Sequence, residues 1–205
     1  MWRVTISSNV LIVAAALTVT SVRAGAQGNQ KSPMSTAQKI ENARSAGPAE
    51  IARNATVRDW PAQEGGEFPI LQEGSNGWTC LPDDPSSKGN DPMCVDHVWQ
   101  QALLASFQGR QPQIDRVGYA YMLSSDADVS NVSLDDTAAT ADNQWHHVGP
   151  HVMIIYPDSS MLAGLPTTPS SGPYVMFAGT PLAHVMWPTA SGMMHMGTEK
   201  PSHHP

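Results

Sequence analysis

Residues 91–124, DPMCVDHVWQQALLASFQGRQPQIDRVGYAYMLS, contain the change of pattern from which we predict the fold. Asp91 and Pro92 are typical of a helix start, as N-cap and first helical residue. Apolar residues then recur at spacings of three and four, which predicts an amphipathic helix from Met93 to about Phe107. The spacing changes after that helix, and residues 117–124 have the composition of a strand.

Three more strands are expected downstream, over residues 150–156, 173–178 and 182–187, because these runs are rich in Val, Tyr, Met and Ile and are separated by turn residues. Gly179-Thr180-Pro181 predicts a hairpin between the last two strands. Residues 125–144 are rich in Asp and poor in apolar side chains, which predicts a long exposed loop.

The N-terminal half combines helices with irregular structure. The sequence Ser-Thr-Ala-Gln from residue 35 is a capping-box pattern and predicts a short helix over residues 35–45. Residues 49–57 fit either a helical turn or a strand, and short strands are expected at 68–72 and 78–81 between turns. The pattern predicts a single α+β domain over residues 35–188, with N-terminal helices packed on a small antiparallel β-sheet.

The first residues have the three parts of a secretory signal peptide. Arg3 gives the positive start, residues 10–19 are apolar, and Ala24-Gly25-Ala26 is a small-x-small cleavage pattern. The apolar run is too short for a transmembrane helix. We therefore expect an exported protein, periplasmic or secreted, with a signal peptide (1–26), a disordered lead (27–34) and a disordered Met/His-rich tail (189–205).

The charge of the chain excludes some partners. The formal net charge is −7, and loss of Arg3 and Arg23 with the signal peptide takes it to −9. Such an acidic chain argues against a nucleic-acid partner, which Lys and Arg side chains hold by its phosphates. No second long apolar segment is present, so we expect no membrane span after signal removal.

The chain has two cysteines, Cys80 and Cys94. In an oxidising compartment such a pair predicts one disulfide. Closing a loop of this length stabilises the fold by roughly 3 kcal/mol. We expect the disulfide to tie the start of the predicted helix to the irregular segment before it.

The histidines give the main functional prediction, since seven of eight lie after residue 145. His151 and Met153 are two residues apart in one predicted strand, and His184 and Met186 are two apart in another. Each pair therefore lies on one face of its strand. If the two strands are neighbours, imidazole and thioether groups converge as a ligand set that suits copper, in particular Cu(I).

Other interpretations of these residues stay open. His146 and His147 are alternative members of the metal site, and methionine is also a common filler of hydrophobic cores. The segment Met193–Met196 with His203-His204 is a separate Met/His tract that would bind copper loosely. The acidic stretch from Asp126 begins like a calcium loop but lacks the turn glycine and the closing Glu.

Two segments, NGWTCLPD (76–83) and DPMC (91–94), resemble a pattern found in an uncharacterised family of exported bacterial proteins. The stretch Gly118–Met122 and the segments GPHVM (149–153) and GPYVM (172–176) are similar to the same group. The resemblance covers about residues 45–188. It implies a bacterial, exported single domain, and it implies no activity.

Catalytic motifs are absent from the sequence: there is no Gly-x-Ser-x-Gly, no His-Glu-x-x-His and no phosphate-binding glycine-rich loop. We therefore expect an exported binding protein, most concretely a copper-binding protein. The alternatives are an extracytoplasmic enzyme with a His/Asp-based site, with or without a metal, and a structural domain of the cell envelope.

Overall fold

The computed structural model of the protein describes residues 32–63 and 65–189. This part of the chain is mostly β, with an eight-stranded mixed sheet, a three-stranded sheet and three short α-helices. None of its helices is long and apolar enough to cross a bilayer. The predicted signal peptide, most of the predicted lead and nearly all of the predicted tail lie outside the described residues.

The helices are α1 (Thr36–Ser45), α2 (Ala49–Ala52) and α3 (His97–Phe107), and a short 3₁₀ helix covers Ser159–Leu162. The predicted capping box of α1 is present: the backbone N–H of Gln38 donates to Ser35 Oγ at 3.4 Å, and that of Ser35 donates to Gln38 Oε1 at 2.9 Å.

The large sheet has the strand order β10-β11-β9-β6-β5-β3-β1-β2, and the small sheet has the order β4-β7-β8. β1 and β3 are parallel, and every other pair is antiparallel among the described strands. The strands are β1 (Thr56–Arg58), β2 (Ile70–Gln72), β3 (Thr79–Leu81), β4 (Gly89–Asn90), β5 (Met93–Val95), β6 (Gly118–Met122), β7 (Asp126–Val129), β8 (His146–Val148), β9 (His151–Ile155), β10 (Tyr174–Met176) and β11 (His184–Pro188).

The predicted α+β class with a small antiparallel sheet is wrong, because strands dominate the described chain and the main sheet is mixed. Residues 56–95 contribute five strands, each of two or three residues. A strand that short shows no alternation of apolar and polar residues, so the turn residues around it dominate the sequence pattern. The ambiguous segment 49–57 contains both a helix, α2, and the beginning of a strand, β1.

The predicted start of the main helix is also wrong. Met93–Val95 forms strand β5, and the N-cap of α3 is Asp96, five residues later than the predicted N-cap Asp91. Asp96 Oδ1 accepts from the backbone N–H of Trp99 at 3.0 Å, and Oδ2 accepts from that of Tyr119 at 2.9 Å. The Asp-Pro at residue 91 and Asp96 are both suitable helix starts, and pairing of β5 with its neighbours favours the second.

The predicted disulfide between Cys80 and Cys94 is confirmed, with the two Cα atoms 4.0 Å apart. It joins directly paired residues of β3 and β5 rather than the start of a helix. Both cysteines are fully buried, in a core layer that the sheet forms with α1 and α2.

The acidic stretch over residues 125–144 is only partly an exposed loop. It contains strand β7, and Ser130, Asn131 and Asn143 are buried. Side-chain hydrogen bonds replace apolar contacts here: Asn131 Nδ2 donates to the backbone carbonyl of Thr167 at 3.0 Å, and Asn143 Nδ2 donates to that of Ala138 at 2.9 Å. The prediction from composition therefore overestimated the solvent exposure of this segment.

The second face of the large sheet is covered by α3, which places Trp99, Ala102 and Leu103 in the main hydrophobic core. Gly118 allows this close packing. A Cβ at Gly118 would lie 2.8 Å from Val98 Cβ and 3.0 Å from Ile155 Cγ2. The candidate site lies on the same face of the sheet.

Candidate ligand site on the Met/His face

Four neighbouring strands, β10, β11, β9 and β6, bring six His and Met side chains to one buried face of the sheet. The register aligns them in three successive rows, which lie about 7 Å apart along the strands. We call these six side chains the Met/His face. Its cross-strand pairs are Met122 with His151, Met153 with Met186, and Met176 with His184.

The structure brings the four predicted metal ligands His151, Met153, His184 and Met186 to this common face. Met153 and Met186 are opposite each other on β9 and β11, in the middle row. The two histidines occupy the outer rows, one on each side of the methionine pair. Either imidazole is therefore a neighbour of the two thioethers.

Both histidines are held in one tautomer by the backbone. Nδ1 of His151 donates to the carbonyl of Gly149 at 2.7 Å, and Nδ1 of His184 donates to that of Leu182 at 2.7 Å. A carbonyl oxygen can only accept, so Nδ1 carries the proton and Nε2 keeps its lone pair. This arrangement prepares Nε2 to bind a metal ion or to accept a hydrogen bond.

Burial keeps both imidazoles neutral. Loss of solvent lowers the pKa of His151 and the pKa of His184 from 6.5 to about 4, against the opposing effect of the backbone hydrogen bonds. Like-charge repulsion from His151 also lowers the pKa of His184. At pH 7 the Met/His face therefore carries no charge.

Aromatic rings surround His184. The Trp99 and Phe177 rings meet it edge-on, with centroid distances of 5.0 and 5.5 Å. Phe177 has φ 55°, an uncommon value for a residue other than glycine, and its N–H donates to the carbonyl of Asn131 at 2.9 Å. Among the described residues, neither His184 Nε2 nor Trp99 Nε1 has a hydrogen-bond partner, and both atoms are buried.

The Met/His face lines a cavity of about 440 Å³. Its other walls come from α3, from the loop after β7 and from the segment that contains Trp60. Trp60 Nε1 donates to the carbonyl of Pro82 at 2.7 Å, so this side chain is fixed in the wall by its own hydrogen bond. Both His151 and His184 are among the residues that line this cavity.

The two alternative histidines lie elsewhere. His147 is exposed on β8, where Nδ1 is 3.1 Å from Asp128 Oδ1 and Nε2 is 3.4 Å from Asp126 Oδ1. His146 is half-buried; its Nδ1 donates to the carbonyl of Gln144 at 3.0 Å and its Nε2 accepts from the Tyr174 hydroxyl at 2.9 Å. Neither residue lines the cavity.

Sequence reasoning missed Met122 and Met176 as members of the face, and it missed Trp99 as the aromatic neighbour of His184. The sequence contained a sign of both methionines, because each of the four predicted C-terminal strands carries one methionine. The contact of Trp99 with His184 depends on how α3 packs on the sheet, which no local pattern shows.

Within residues 32–63 and 65–189, no three His, Cys, Asp or Glu side chains come together as a metal-binding group. The Met/His face offers two imidazoles, and its other donors are thioethers.

A carboxyl pair lies beside the cavity. Asp91 is among the lining residues, its N–H donates to Asp83 Oδ1 at 3.1 Å, and its own Oδ1 accepts from the backbone N–H of Asp84 at 3.1 Å. Burial, followed by the side-chain hydrogen bond with Asp83, raises the pKa of Asp91 to about 7. The folded protein therefore holds a proton on Asp91 that the unfolded chain releases near pH 4.

We expect Asp91→Asn to stabilise the protein at pH 8 by about 2 kcal/mol, and to have little effect at pH 4. A folded-state pKa above the unfolded value gives stability that is lost as the pH rises towards 7. The amide resembles the protonated carboxyl and does not ionise. Urea unfolding at both pH values measures the difference, with the exposed Asp115→Asn as control. Equal stabilisation at pH 4 and pH 8 would contradict this origin.

No family model, curated protein or solved structure matches the chain. The resemblance to exported bacterial proteins therefore stays a prediction, and the function has to be argued from the site.

Proposed function

We propose that the protein is an exported binding protein that holds one soft metal ion, Cu(I), on the Met/His face. The observation that carries the proposal is the direct pairing of Met153 with Met186 between two buried, neutral histidines. Thioether sulfur and imidazole nitrogen together form a soft donor set, and Cu(I) is the ion that such donors select.

The protonation state supports this assignment. A metal ligand must offer a lone pair, and the neutral His151 and His184 each offer Nε2 without first losing a proton at pH 7. The carbonyls of Gly149 and Leu182 fix the ring orientation through Nδ1, as outer-shell partners of metal-bound histidines commonly do.

The register favours a site in which Met153 Sδ and Met186 Sδ, from the middle row, bind the ion together with an imidazole from an outer row. The outer rows lie about 13 Å apart at the backbone. Both rings would have to lean towards the middle row to reach one ion together. A three-coordinate site with two sulfur atoms and one nitrogen needs only one of them to do so.

Export is part of the proposal. The signal-peptide pattern of the first 26 residues supports it, and the buried disulfide is typical of a compartment outside the reducing cytoplasm. We propose a periplasmic or secreted location. The apolar surroundings of the site would also protect Cu(I) from water.

The alternative of a His/Asp-based enzyme has less support. In the described part of the chain, the histidine that contacts carboxylates is His147, and it is exposed rather than in the cavity. A purely structural role leaves the cavity and the unpartnered nitrogen of His184 without explanation.

The test is a Cu(I) competition titration of the protein purified after export without an affinity tag. We expect one Cu(I) per chain, and a loss of at least about 100-fold in affinity for Met153→Leu/Met186→Leu. Leucine keeps the apolar volume, so the free energy of unfolding should change by less than about 1.5 kcal/mol for each substitution.

Two controls locate the ion. Met161→Leu replaces a methionine that is 55% exposed and should leave the affinity unchanged. Deletion of residues 190–205 removes the Met/His tract of the tail and should also leave it unchanged. Copper lost only with the tail, or bound equally well by Met153→Leu/Met186→Leu, would refute the proposed site. A His151→Ala/His184→Ala variant, checked for folding, tests the imidazole ligands.

A further inference from the structure

The cavity is much larger than a metal ion needs. Its volume of about 440 Å³ lies within the range typical of sites for small organic molecules. Apolar side chains such as Phe107, Leu134 and Leu182 line it together with the Met/His face. A single ion on that face would leave most of this apolar space unused.

Two residues that line the cavity each carry a buried polar atom for which the described residues supply no partner: Trp99 Nε1 and His184 Nε2. Both residues are 2% exposed. Buried polar groups are normally hydrogen-bonded, and leaving one unpaired is costly. The indole N–H only donates, and Nε2 only accepts because Nδ1 carries the proton.

One hydroxyl group satisfies both atoms, since its oxygen accepts from the indole while its hydrogen is donated to the imidazole. The two rings are in contact, with a centroid distance of 5.0 Å and an interplanar angle of 79°. Cu(I) at His184 would leave the Trp99 N–H unpaired, because an N–H group has no lone pair for a metal.

The charge of the wall excludes an anionic ligand. Among its described residues are five aspartates and one lysine, Lys88. A carboxylate or phosphate inside the cavity would meet net repulsion and would lose its solvation. The aspartates are Asp84, Asp91, Asp128, Asp135 and Asp136.

We infer that the metal-free protein binds an uncharged phenol or alcohol with an apolar body in this cavity, its hydroxyl placed between Trp99 Nε1 and His184 Nε2. This site goes beyond the proposed copper function and does not require it. The Met/His face that would hold the ion lines the same cavity, so each ligand should displace the other.

The test compares three probes that share the naphthalene ring, 1-naphthol, 1-methoxynaphthalene and naphthalene, by calorimetric titration of the metal-free full chain after export. We expect 1-naphthol to bind about tenfold or more tightly than naphthalene, because only the hydroxyl satisfies both buried atoms. The methyl ether accepts from Trp99 but donates nothing to His184, so it should bind more weakly than 1-naphthol.

Trp99→Phe removes the indole N–H and keeps an aromatic ring. It should remove most of the preference for 1-naphthol and leave the affinity for naphthalene nearly unchanged. Trp60→Phe is the matched control, because Trp60 lines the same cavity but its N–H is already bonded to the Pro82 carbonyl. The preference for 1-naphthol should survive in that variant.

Three results would overturn the inference: no binding of any probe, equal binding of 1-naphthol and naphthalene, or the same loss of preference in Trp60→Phe as in Trp99→Phe. Adding Cu(I) to the 1-naphthol complex separates the two proposals. Displacement of 1-naphthol by Cu(I) supports both the copper site and the hydroxyl site. Binding of 1-naphthol without any Cu(I) binding would refute copper alone, and Cu(I) binding without 1-naphthol binding would refute the hydroxyl site alone.

Discussion

Acidification from pH 7 to pH 4 should lower the free energy of unfolding of the metal-free protein by about 3 kcal/mol. The buried histidines His151 and His184 are the reason. Burial lowers the pKa of each from 6.5 to about 4, so the unfolded chain takes up protons on both residues before the folded protein does. Their contribution is fully present above pH 6.5 and is lost as the pH falls through about 4.

The histidine contribution alone amounts to about 5 kcal/mol over this interval, and Asp91 offsets part of it. Because the pKa of Asp91 is raised in the folded protein, this residue takes up a proton more readily there than in the unfolded chain. Its protonation therefore stabilises the fold as the pH falls. The two effects therefore have opposite signs. Asp91→Asn should make the loss on acidification steeper, approaching the value for the histidines alone.

Urea unfolding from pH 7 to pH 4 measures these differences. His151→Asn/His184→Asn keeps a side-chain N–H that can replace Nδ1 as donor but cannot titrate. We expect it to lose stability at every pH through its smaller volume and to gain stability on acidification, because the opposing effect of Asp91 remains. His147→Asn, at a side chain that is 60% exposed, is the control. If His147→Asn removed the loss of stability on acidification as the double variant does, the buried histidines would not be the source of that loss.

The C-terminal strands were predictable from sequence because β6, β9 and β11 each have five residues. That length shows the alternation that assigns His151 and Met153 to one face. The three-residue strands β1, β3 and β5 contain too few residues to show a period, so their pairing comes from the neighbours and not from their own sequence.

Strand order could not be read from the sequence. The Met/His face exists because β11 lies between β10 and β9, and β9 lies beside β6, which is distant in the chain. Local patterns predict which side of a strand a residue occupies, but not which strands are neighbours. The sequence therefore predicted the two His/Met pairs, and the additional members Met122 and Met176 required the fold.

The start of α3 shows a second limit. Asp91 and Asp96 each precede a segment with helical apolar spacing, and both are good N-caps. The structure uses Asp96, since its carboxylate also accepts from the backbone of Tyr119 in β6. That bond ties the helix start to the sheet, and Trp99 in the first turn of this helix meets His184 edge-on. A long-range contact thus decided between two equal local patterns.

Removal of the disulfide should lower the free energy of unfolding by about 3 kcal/mol or slightly more, and it should leave Cu(I) affinity unchanged in the folded protein. The bond closes a loop between residues 14 positions apart, and its loss frees the unfolded chain. Replacement by alanine also leaves space in a packed region, because a Cβ at Gly47 would lie only 3.0 Å from Cys94 Sγ.

The proposed copper site should be insensitive to this change, because Cys80 and Cys94 belong to the core layer of α1 and α2. The Met/His face lies in the other layer, together with Val95, the next residue of β5. Urea unfolding and Cu(I) titration of Cys80→Ala/Cys94→Ala separate stability from binding. A stability loss below about 1 kcal/mol would show that the unfolded chain gains little freedom without the bond. A parallel fall in copper affinity of the folded protein would show that the two core layers are coupled, contrary to the division seen in the fold.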